Sequence, residues 1–160
     1  IFRLVQGDYV MPSSFVCPGS KHGRVMRAQP SEIRAYRDFP DRDCVTYSFQ
    51  IHCRQIGHGQ LLCQGVVMAD SNPLFEDLPE DFSGGFELQI DAKALSLNSR
   101  NHSYLGKRSG QNVLHRDGHI AFLRTRYVDG STDDIFTLQG IDVYQGVELA
   151  SCESDIFLAP

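Results

Sequence analysis

Tryptophan is absent from the chain, basic residues are in the minority, and no apolar run approaches the ~20 residues of a membrane-spanning helix. The missing tryptophan removes the commonest side chain for stacking on sugar rings, so a glycan-binding surface would depend on Phe and Tyr, which number 10 and 6. Fifteen Lys and Arg against 20 acidic residues give a net charge of −5. This balance argues against a nucleic-acid partner, which calls for a basic face.

Motifs with a fixed chemical spacing are missing as well. No G-x-S-x-G nucleophile elbow occurs, and none of the five cysteines forms a C-x2-C knuckle. The spacing C-x8-C-x9-C over residues 44–63 is poor for structural zinc, so no metal or other cofactor is predicted. Cys53 and His52 are neighbours on one predicted strand and point to opposite faces, which disfavours a thiol nucleophile. We therefore expect a binding protein rather than an enzyme.

The length of the chain suits one folded unit. A protein of 160 residues buries roughly two-thirds of its unfolded surface, and an apolar fraction of 41% is enough for a single core. We predict one β-rich domain over residues 1–160, in which an irregular N-terminal region, 1–43, packs on a sheet core formed by 44–160.

The stretch 44–53 carries the clearest secondary-structure signal. From position 45 onward, odd positions are apolar and even positions polar, which is typical of a strand with one buried face. After the Gly57-His58-Gly59 break, residues 60–69 form a second apolar stretch. Together the two segments predict a β-hairpin with one buried and one solvated face.

Alignment of these two strands about His58 fixes the predicted register. The opposed pairs are 53:63, 51:65, 49:67 and 47:69, all on the apolar face. A three-residue turn makes 53:63 a non-hydrogen-bonded pair with Cα atoms about 4.5 Å apart, at the short edge of the disulfide range. We therefore predict a Cys53–Cys63 disulfide, with His58 exposed at the tip as a contact residue.

The rest of the chain also favours strands over helices. Further extended segments are predicted at 86–97, 113–115, 119–128, 135–144, 147–152 and 156–158, with short strands at 2–5, 15–17 and 24–28 and a helical turn at 31–38. A parallel sheet would need long helices between strands, and those are missing. The predicted fold class is all-β: an antiparallel β-sandwich or barrel of six to nine short strands, with little helix and stabilised by disulfides.

The other cysteines, Cys17, Cys44 and Cys152, allow one further bridge and leave an odd thiol. The pairings 17–44, 17–152 and 44–152 remain open, although the last two close longer loops. An odd cysteine could join a second chain in a covalent oligomer, and a non-covalent oligomer is equally compatible. With the N-x-S sequon at Asn101, these features predict a secreted, extracellular, disulfide-bonded glycoprotein.

His115 and His119 flank a predicted turn at Gly118, and Arg124 follows on the next strand. One imidazole as base, one as acid and a cation for the phosphate are what a phosphodiesterase needs. A small secreted hydrolase of phosphodiester or glycosidic bonds is therefore the alternative hypothesis. The competing interpretation is an exposed cross-strand pair that closes a hairpin.

An acidic loop provides the other candidate site. Asp129, Asp133 and Asp134 surround Gly130-Ser131-Thr132 and offer hard oxygen ligands, so calcium is conceivable there, although the spacing is not that of an EF-hand. Otherwise the three acids form a solvated binding surface.

From these observations we expect a secreted, non-enzymatic β-domain that binds a protein, a glycan or a small ligand. The binding residues would lie on loops 70–85, 98–112 and 129–134, and the domain could be a subunit of an extracellular assembly. A cavity for an apolar ligand, lined by Phe49, Phe86 and Phe122, is a third possibility.

Overall fold

The computed structural model describes residues 1–51, 65–78, 85–128, 130–150 and 154–160. Within these ranges the helices are α1 (Phe2–Gln6), α2 (Pro30–Ile33) and α3 (Ala92–Leu95), with 3-10 turns at Pro12–Phe15, Arg42–Cys44, Pro73–Phe75 and Arg100–His102. The strands are β1 (Tyr47–Gln50), β2 (Val66–Asp70), β3 (Leu88–Gln89), β4 (Ser103–Tyr104), β5 (Lys107–Arg108), β6 (Gln111–His115), β7 (Ile120–Leu123), β8 (Val143–Tyr144) and β9 (Leu158–Ala159). None of the helices in these ranges is long and apolar enough to cross a membrane.

The strands pair in one larger sheet and two small ones. The larger sheet has the order β7-β6-β2-β1-β9, and β3–β8 and β4–β5 form separate pairs. Every strand pairing is antiparallel. The mainly β, antiparallel fold with little helix is thus confirmed. The barrel alternative is wrong for the described part of the chain, because the larger sheet stays open, with β7 and β9 at its edges.

β1 and β2 form the predicted antiparallel pair, but one residue out of the predicted register. Phe49 lies opposite Met68, whereas the sequence alignment places it opposite residue 67. The expected burial is also inverted, since Ser48 is fully buried and Phe49 only partly. Ser48 tolerates burial because its hydroxyl accepts a hydrogen bond from the Asn72 N–H at 2.8 Å. Both faces of this strand are therefore covered.

The predicted hairpin disulfide depended on the other register. Cys53, Cys63 and His58 lie outside the described residues, so the bond and the exposed tip stay predictions. The observed pairing of β1 with β2 no longer supports the alignment from which the bond was inferred.

The prediction of a long strand over 86–97 is wrong. Only Leu88–Gln89 is extended there, and Ala92–Leu95 forms α3. The Asp91 carboxylate accepts a hydrogen bond from the Ala94 N–H at 2.6 Å, and an N-cap of this kind starts a helix. The cap and the helix-forming residues after it outweigh the apolar alternation.

The N-terminal region also differs from the prediction, since residues 2–5 are helical in α1 rather than extended. This region contributes a core cluster of its own: Phe2, Val5, Phe15, Met26, Ile33 and Cys44. The cluster packs against Phe49 of β1, and the Thr46 N–H donates to the Phe15 carbonyl at 2.9 Å. These contacts hold the N-terminal region against the start of β1. The start of β1 pairs with the end of β2, so the N-terminal region also lies near the end of β2.

Candidate functional site

Three side chains that are distant in sequence meet beside the end of β2. Cys17 is held by its backbone N–H, which donates to the Thr46 hydroxyl at 2.6 Å. Asp70 is the last residue of β2, and His102 closes the 3-10 turn Arg100–His102. Their possible ligand atoms, a sulfur, a carboxylate oxygen and a ring nitrogen, all lie within 4.8 Å of one another. We call this group the Cys–Asp–His cluster.

The polar contacts of the His102 side chain with described residues all involve one ring nitrogen. Its Nε2 lies 3.6 Å from the Cys17 Sγ, 3.1 Å from the Asp70 Oδ2 and 2.7 Å from the Asn112 Nδ2. The Nδ1–Cε1 side of the ring lies over Gly19, where an added Cβ would be 3.0 Å from Nδ1. The cluster is therefore organised around a common point next to Nε2.

The Asp70 carboxylate is buried and held rigidly. Its Oδ1 accepts a hydrogen bond from the Asn101 Nδ2 at 3.0 Å, and its Oδ2 accepts one from the Asn112 N–H at 2.5 Å. Its exposure is 0%, and its ion-pair partner within the described ranges is His102. A buried carboxylate costs much free energy unless a cation or several donors compensate it, so this residue is unusual.

The Cys17 sulfur is buried beside that carboxylate. Burial raises the pKa of the Cys17 thiol, the backbone of Gly19 and Ser20 lowers the pKa in part, and the neighbouring Asp70 carboxylate raises it further. Burial, with Cys17 and Asp70 close by, also raises the pKa of Tyr47 to about 12. A thiol in this state is protonated near neutral pH and is not an activated nucleophile.

A partly open groove of about 950 Å³ lies beside the N-terminal region, β1 and the segment after β2. The arginines that line it are Arg3, Arg24, Arg37, Arg42 and Arg100. Tyr47, Ser48 and Asn72 also line it. We call it the arginine groove. It takes residues from two of the loops expected to carry binding, 70–85 and 98–112, and from the N-terminal region, where no site is predicted.

The predicted histidine pair forms the hairpin of β6 and β7. Gly118 has a φ of +92°, and the rings of His115 and His119 stack with centroids 4.0 Å apart. The His119 Nδ1 lies 2.6 Å from an oxygen of Asp117. Stacked imidazoles leave no space for a phosphate between them, and Arg124 follows the end of β7 as an exposed residue. The acid/base role stays a prediction, and the geometry is that of a stacked cross-strand pair in which His119 is exposed and His115 half-buried.

The predicted acidic loop turns its described carboxylates inward. Asp133 accepts hydrogen bonds from the Gln139 side chain and the Ile156 N–H, and burial raises its pKa. Asp134 pairs with Arg126 at 2.9 Å. Asp129 lies outside the described residues. Both described acids are engaged by protein donors, which is a structural arrangement rather than an open calcium site.

The expected second disulfide is not formed. Cys17 and Cys44 are both free and buried, and each of the three open pairings needs one of them. Cys17 faces His102 instead, and Cys44 packs in the N-terminal core cluster. Cys152 lies outside the described residues.

The sequon at Asn101 is buried, with an exposure of 1%. Its Nδ2, the atom that would carry a glycan, donates to the Thr46 carbonyl at 2.6 Å and to Asp70. Attachment of a sugar would require loss of both hydrogen bonds. Glycosylation stays a prediction, and the folded conformation argues against it.

The apolar-ligand alternative has no shared cavity among the described residues. Phe49 and Phe86 pack against different core clusters, and Phe122 is 47% exposed at an edge of the larger sheet.

Sequence reasoning missed the Cys–Asp–His cluster, because nothing in the spacing of Cys17, Asp70 and His102 indicates that they meet. The one available signal was Asp70 itself, a carboxylate directly after the apolar run 66–69. Comparison of the chain with family models, curated proteins and solved structures found no match.

Proposed function

We propose that the chain is a non-enzymatic β-domain that binds a small anionic ligand in the arginine groove. The observation that carries this proposal is the collection of five arginines around one cavity in a protein with a net charge of −5. A volume of about 950 Å³ suits a small organic molecule or a short stretch of a larger one.

Two of the five arginines are available to a ligand. The groove is also lined by four acids, Asp38, Asp41, Asp43 and Glu76. Glu76 pairs with Arg108 at 2.6 Å, Arg24 pairs with Asp41 and Asp43, and Arg100 pairs with Asp43. Arg3 and Arg37 are exposed and carry no ion pair within the described residues. A guanidinium group presents a planar fork of donors that matches a carboxylate or a phosphate, so these two residues are the expected anchors.

The experiment is isothermal titration of the protein with inorganic pyrophosphate and with citrate at low ionic strength. Each charge-assisted hydrogen bond contributes about 1.5–3 kcal/mol, so the double variant Arg3→Ala/Arg37→Ala should lose at least about tenfold in affinity. The matched control is Arg116→Ala/Arg124→Ala, which removes the same charge from exposed positions outside the groove. An equal loss in both double variants, or no binding of either anion by the unaltered protein, would refute the proposal.

Secretion, a protein or glycan partner, and an oligomer joined through an odd cysteine remain proposals that depend on the sequence. Free Cys17 and Cys44 reduce the support for a disulfide-rich secreted domain. The hydrolase alternative is the weaker proposal, because its two imidazoles stack on each other instead of facing a shared substrate.

A further inference from the structure

We propose that the Cys–Asp–His cluster is a zinc site, in which Cys17 Sγ, Asp70 Oδ2 and His102 Nε2 are the protein ligands. The site is separate from the arginine groove and does not depend on an anion being bound there. The proposal rests on the geometry of the three ligand atoms, on the hydrogen bonding around Nε2 and on the groups that hold the ligands in place.

The separations of the ligand atoms fit a tetrahedral ion. With Zn–S about 2.3 Å and Zn–N and Zn–O about 2.0–2.1 Å, tetrahedral angles place the sulfur about 3.5 Å from the nitrogen and the nitrogen about 3.3 Å from the oxygen. In the protein these distances are 3.6 Å and 3.1 Å. Two of the three separations therefore match a tetrahedral ion to within a few tenths of an ångström, and the sulfur and the carboxylate oxygen lie within 4.8 Å of each other. One thiolate, one imidazole and one carboxylate are also ligand types that zinc accepts together.

The contacts of His102 do not fit a catalytic relay. In a nucleophile–histidine–acid relay, one ring nitrogen faces the nucleophile and the other faces the acid. Here the same Nε2 faces both Cys17 and Asp70. A shared cation explains this convergence directly, whereas proton transfer through the ring does not.

With the Asn112 amide in the orientation that the structure shows, hydrogen bonding leaves a conflict at Nε2. If Nε2 carries a proton, it donates to Asp70 but opposes the Asn112 amide nitrogen, also a donor, at 2.7 Å. If Nε2 is unprotonated, it accepts from Asn112 but directs its lone pair at a carboxylate oxygen 3.1 Å away. Rotation of the Asn112 amide relieves the conflict for a protonated Nε2, and a cation beside Nε2 relieves it for an unprotonated one. With the amide rotated, its oxygen is available as a fourth ligand, in a position that a water molecule could also take.

The groups around the ligands resemble those that support metal sites. Asn101 and the Asn112 N–H fix the carboxylate by hydrogen bonds, and the Thr46 hydroxyl fixes the backbone of Cys17. The charges also balance, since one thiolate and one carboxylate neutralise a divalent ion. A neutral centre accounts for the burial of Asp70 at 0% exposure with no Lys or Arg ion pair in the described part of the chain.

The ion would join three segments that are far apart in sequence. Cys17 belongs to the N-terminal region, Asp70 to β2, and His102 to the turn before β4. Cys17 is not in a disulfide, and zinc ligation would give this thiol a structural role.

The experiment uses the full chain, stripped of metal with a chelator and then titrated with zinc and, separately, with cobalt(II). The expected result is one zinc per chain by elemental analysis. The cobalt form should show a sulfur-to-metal charge-transfer band and the visible bands of a tetrahedral centre. Cys17→Ser and His102→Gln should each lower zinc affinity by at least about a hundredfold, because each removes a direct ligand.

The matched control is Cys44→Ser, which replaces the other buried free thiol and should leave zinc affinity within about twofold. Arg3→Ala/Arg37→Ala should also retain zinc, which separates this site from the groove. Because a variant can fail to fold, the cobalt spectrum of the unaltered protein is the independent readout. A spectrum without a thiolate band, unchanged affinity in folded Cys17→Ser, or an equal loss in Cys44→Ser would overturn the proposal.

Discussion

At the scale of single residues, Arg126 shows how one buried charge joins separate segments. Its guanidinium pairs with Asp134 at 2.9 Å and donates to the Ala94 carbonyl at 2.7 Å. It also lies over the Phe136 ring, with 5.6 Å between the guanidinium carbon and the ring centroid. Its exposure is 4%, so water cannot replace these contacts. Removal of this side chain would leave the partly buried Asp134 carboxylate without this ion pair, and the Phe136 N–H would remain as a donor to it.

We therefore expect Arg126→Ala to lower the free energy of unfolding by about 3–5 kcal/mol, the usual cost of breaking a buried ion pair from one side. Urea denaturation, monitored by circular dichroism, measures the free energy of unfolding of the variant and of the unaltered protein. Arg124→Ala is the control, since Arg124 is exposed and its loss should change stability by less than about 0.5 kcal/mol. Similar losses of stability in both variants would contradict the stabilising role given to the buried Arg126–Asp134 pair.

At the scale of elements, two glycines of the β6–β7 region have different physical roles. Gly118 lies in the turn at φ +92°, and an added Cβ would meet no atom within 4 Å. Gly110 precedes β6 at φ +151°, and an added Cβ would overlap the Leu123 carbonyl oxygen at 2.2 Å. Position 118 therefore needs a residue that tolerates a positive φ. Position 110 needs this as well, and it also has no space for a side chain.

Gly118→Ala should accordingly cost about 1–2 kcal/mol of stability, the usual penalty for a left-handed conformation in an L-residue. Gly110→Ala should cost more, because β6 and β7 must also separate at Leu123. Denaturant unfolding of both variants gives the comparison. Equal costs would mean that close approach of the strands is not limiting at Gly110.

At the scale of the whole molecule, the reactivity of Cys17 and Cys44 tests both the predicted secretion into an oxidising compartment and the burial of these thiols in the fold. In the metal-free protein, burial raises the pKa of both Cys17 and Cys44, so both are protonated and shielded near neutral pH. Thiolates, not thiols, react with alkylating agents. Iodoacetamide at pH 7 should therefore leave both residues unmodified in the native protein and label both after denaturation without reductant.

Peptide mapping by mass spectrometry reads out this labelling. A disulfide-linked peptide that contains Cys17 or Cys44 would contradict the structure, and rapid native labelling of either residue would contradict its burial. The same map would show whether Cys53 and Cys63 are joined, and whether Asn101 carries a glycan.

The sequence predicted some elements well and others poorly, for identifiable reasons. The β6–β7 hairpin was predictable, because Gly118 and the flanking apolar residues act within a few positions of one another. The register of β1 and β2 was not, because buried Ser48 obtains its hydrogen bond from Asn72, a partner 24 residues away. The prediction of a strand over 86–97 was wrong because the N-cap at Asp91 favours a helix, and this effect outweighs the alternating apolar pattern.

The sequence by itself determined the antiparallel, mainly β class and the shortness of the helices in the described part of the chain, since both follow from short-range periodicity and turn residues. Only the tertiary structure decided which polar residues meet. β2 pairs with β6 and brings Asp70 beside Asn112, and the N-terminal region crosses the start of β1 and brings Cys17 to the same place. The arginine groove has the same origin, with Arg3 and Arg100 on one cavity from opposite parts of the chain. Such contacts depend on packing between distant segments, and no local pattern in the sequence encodes them.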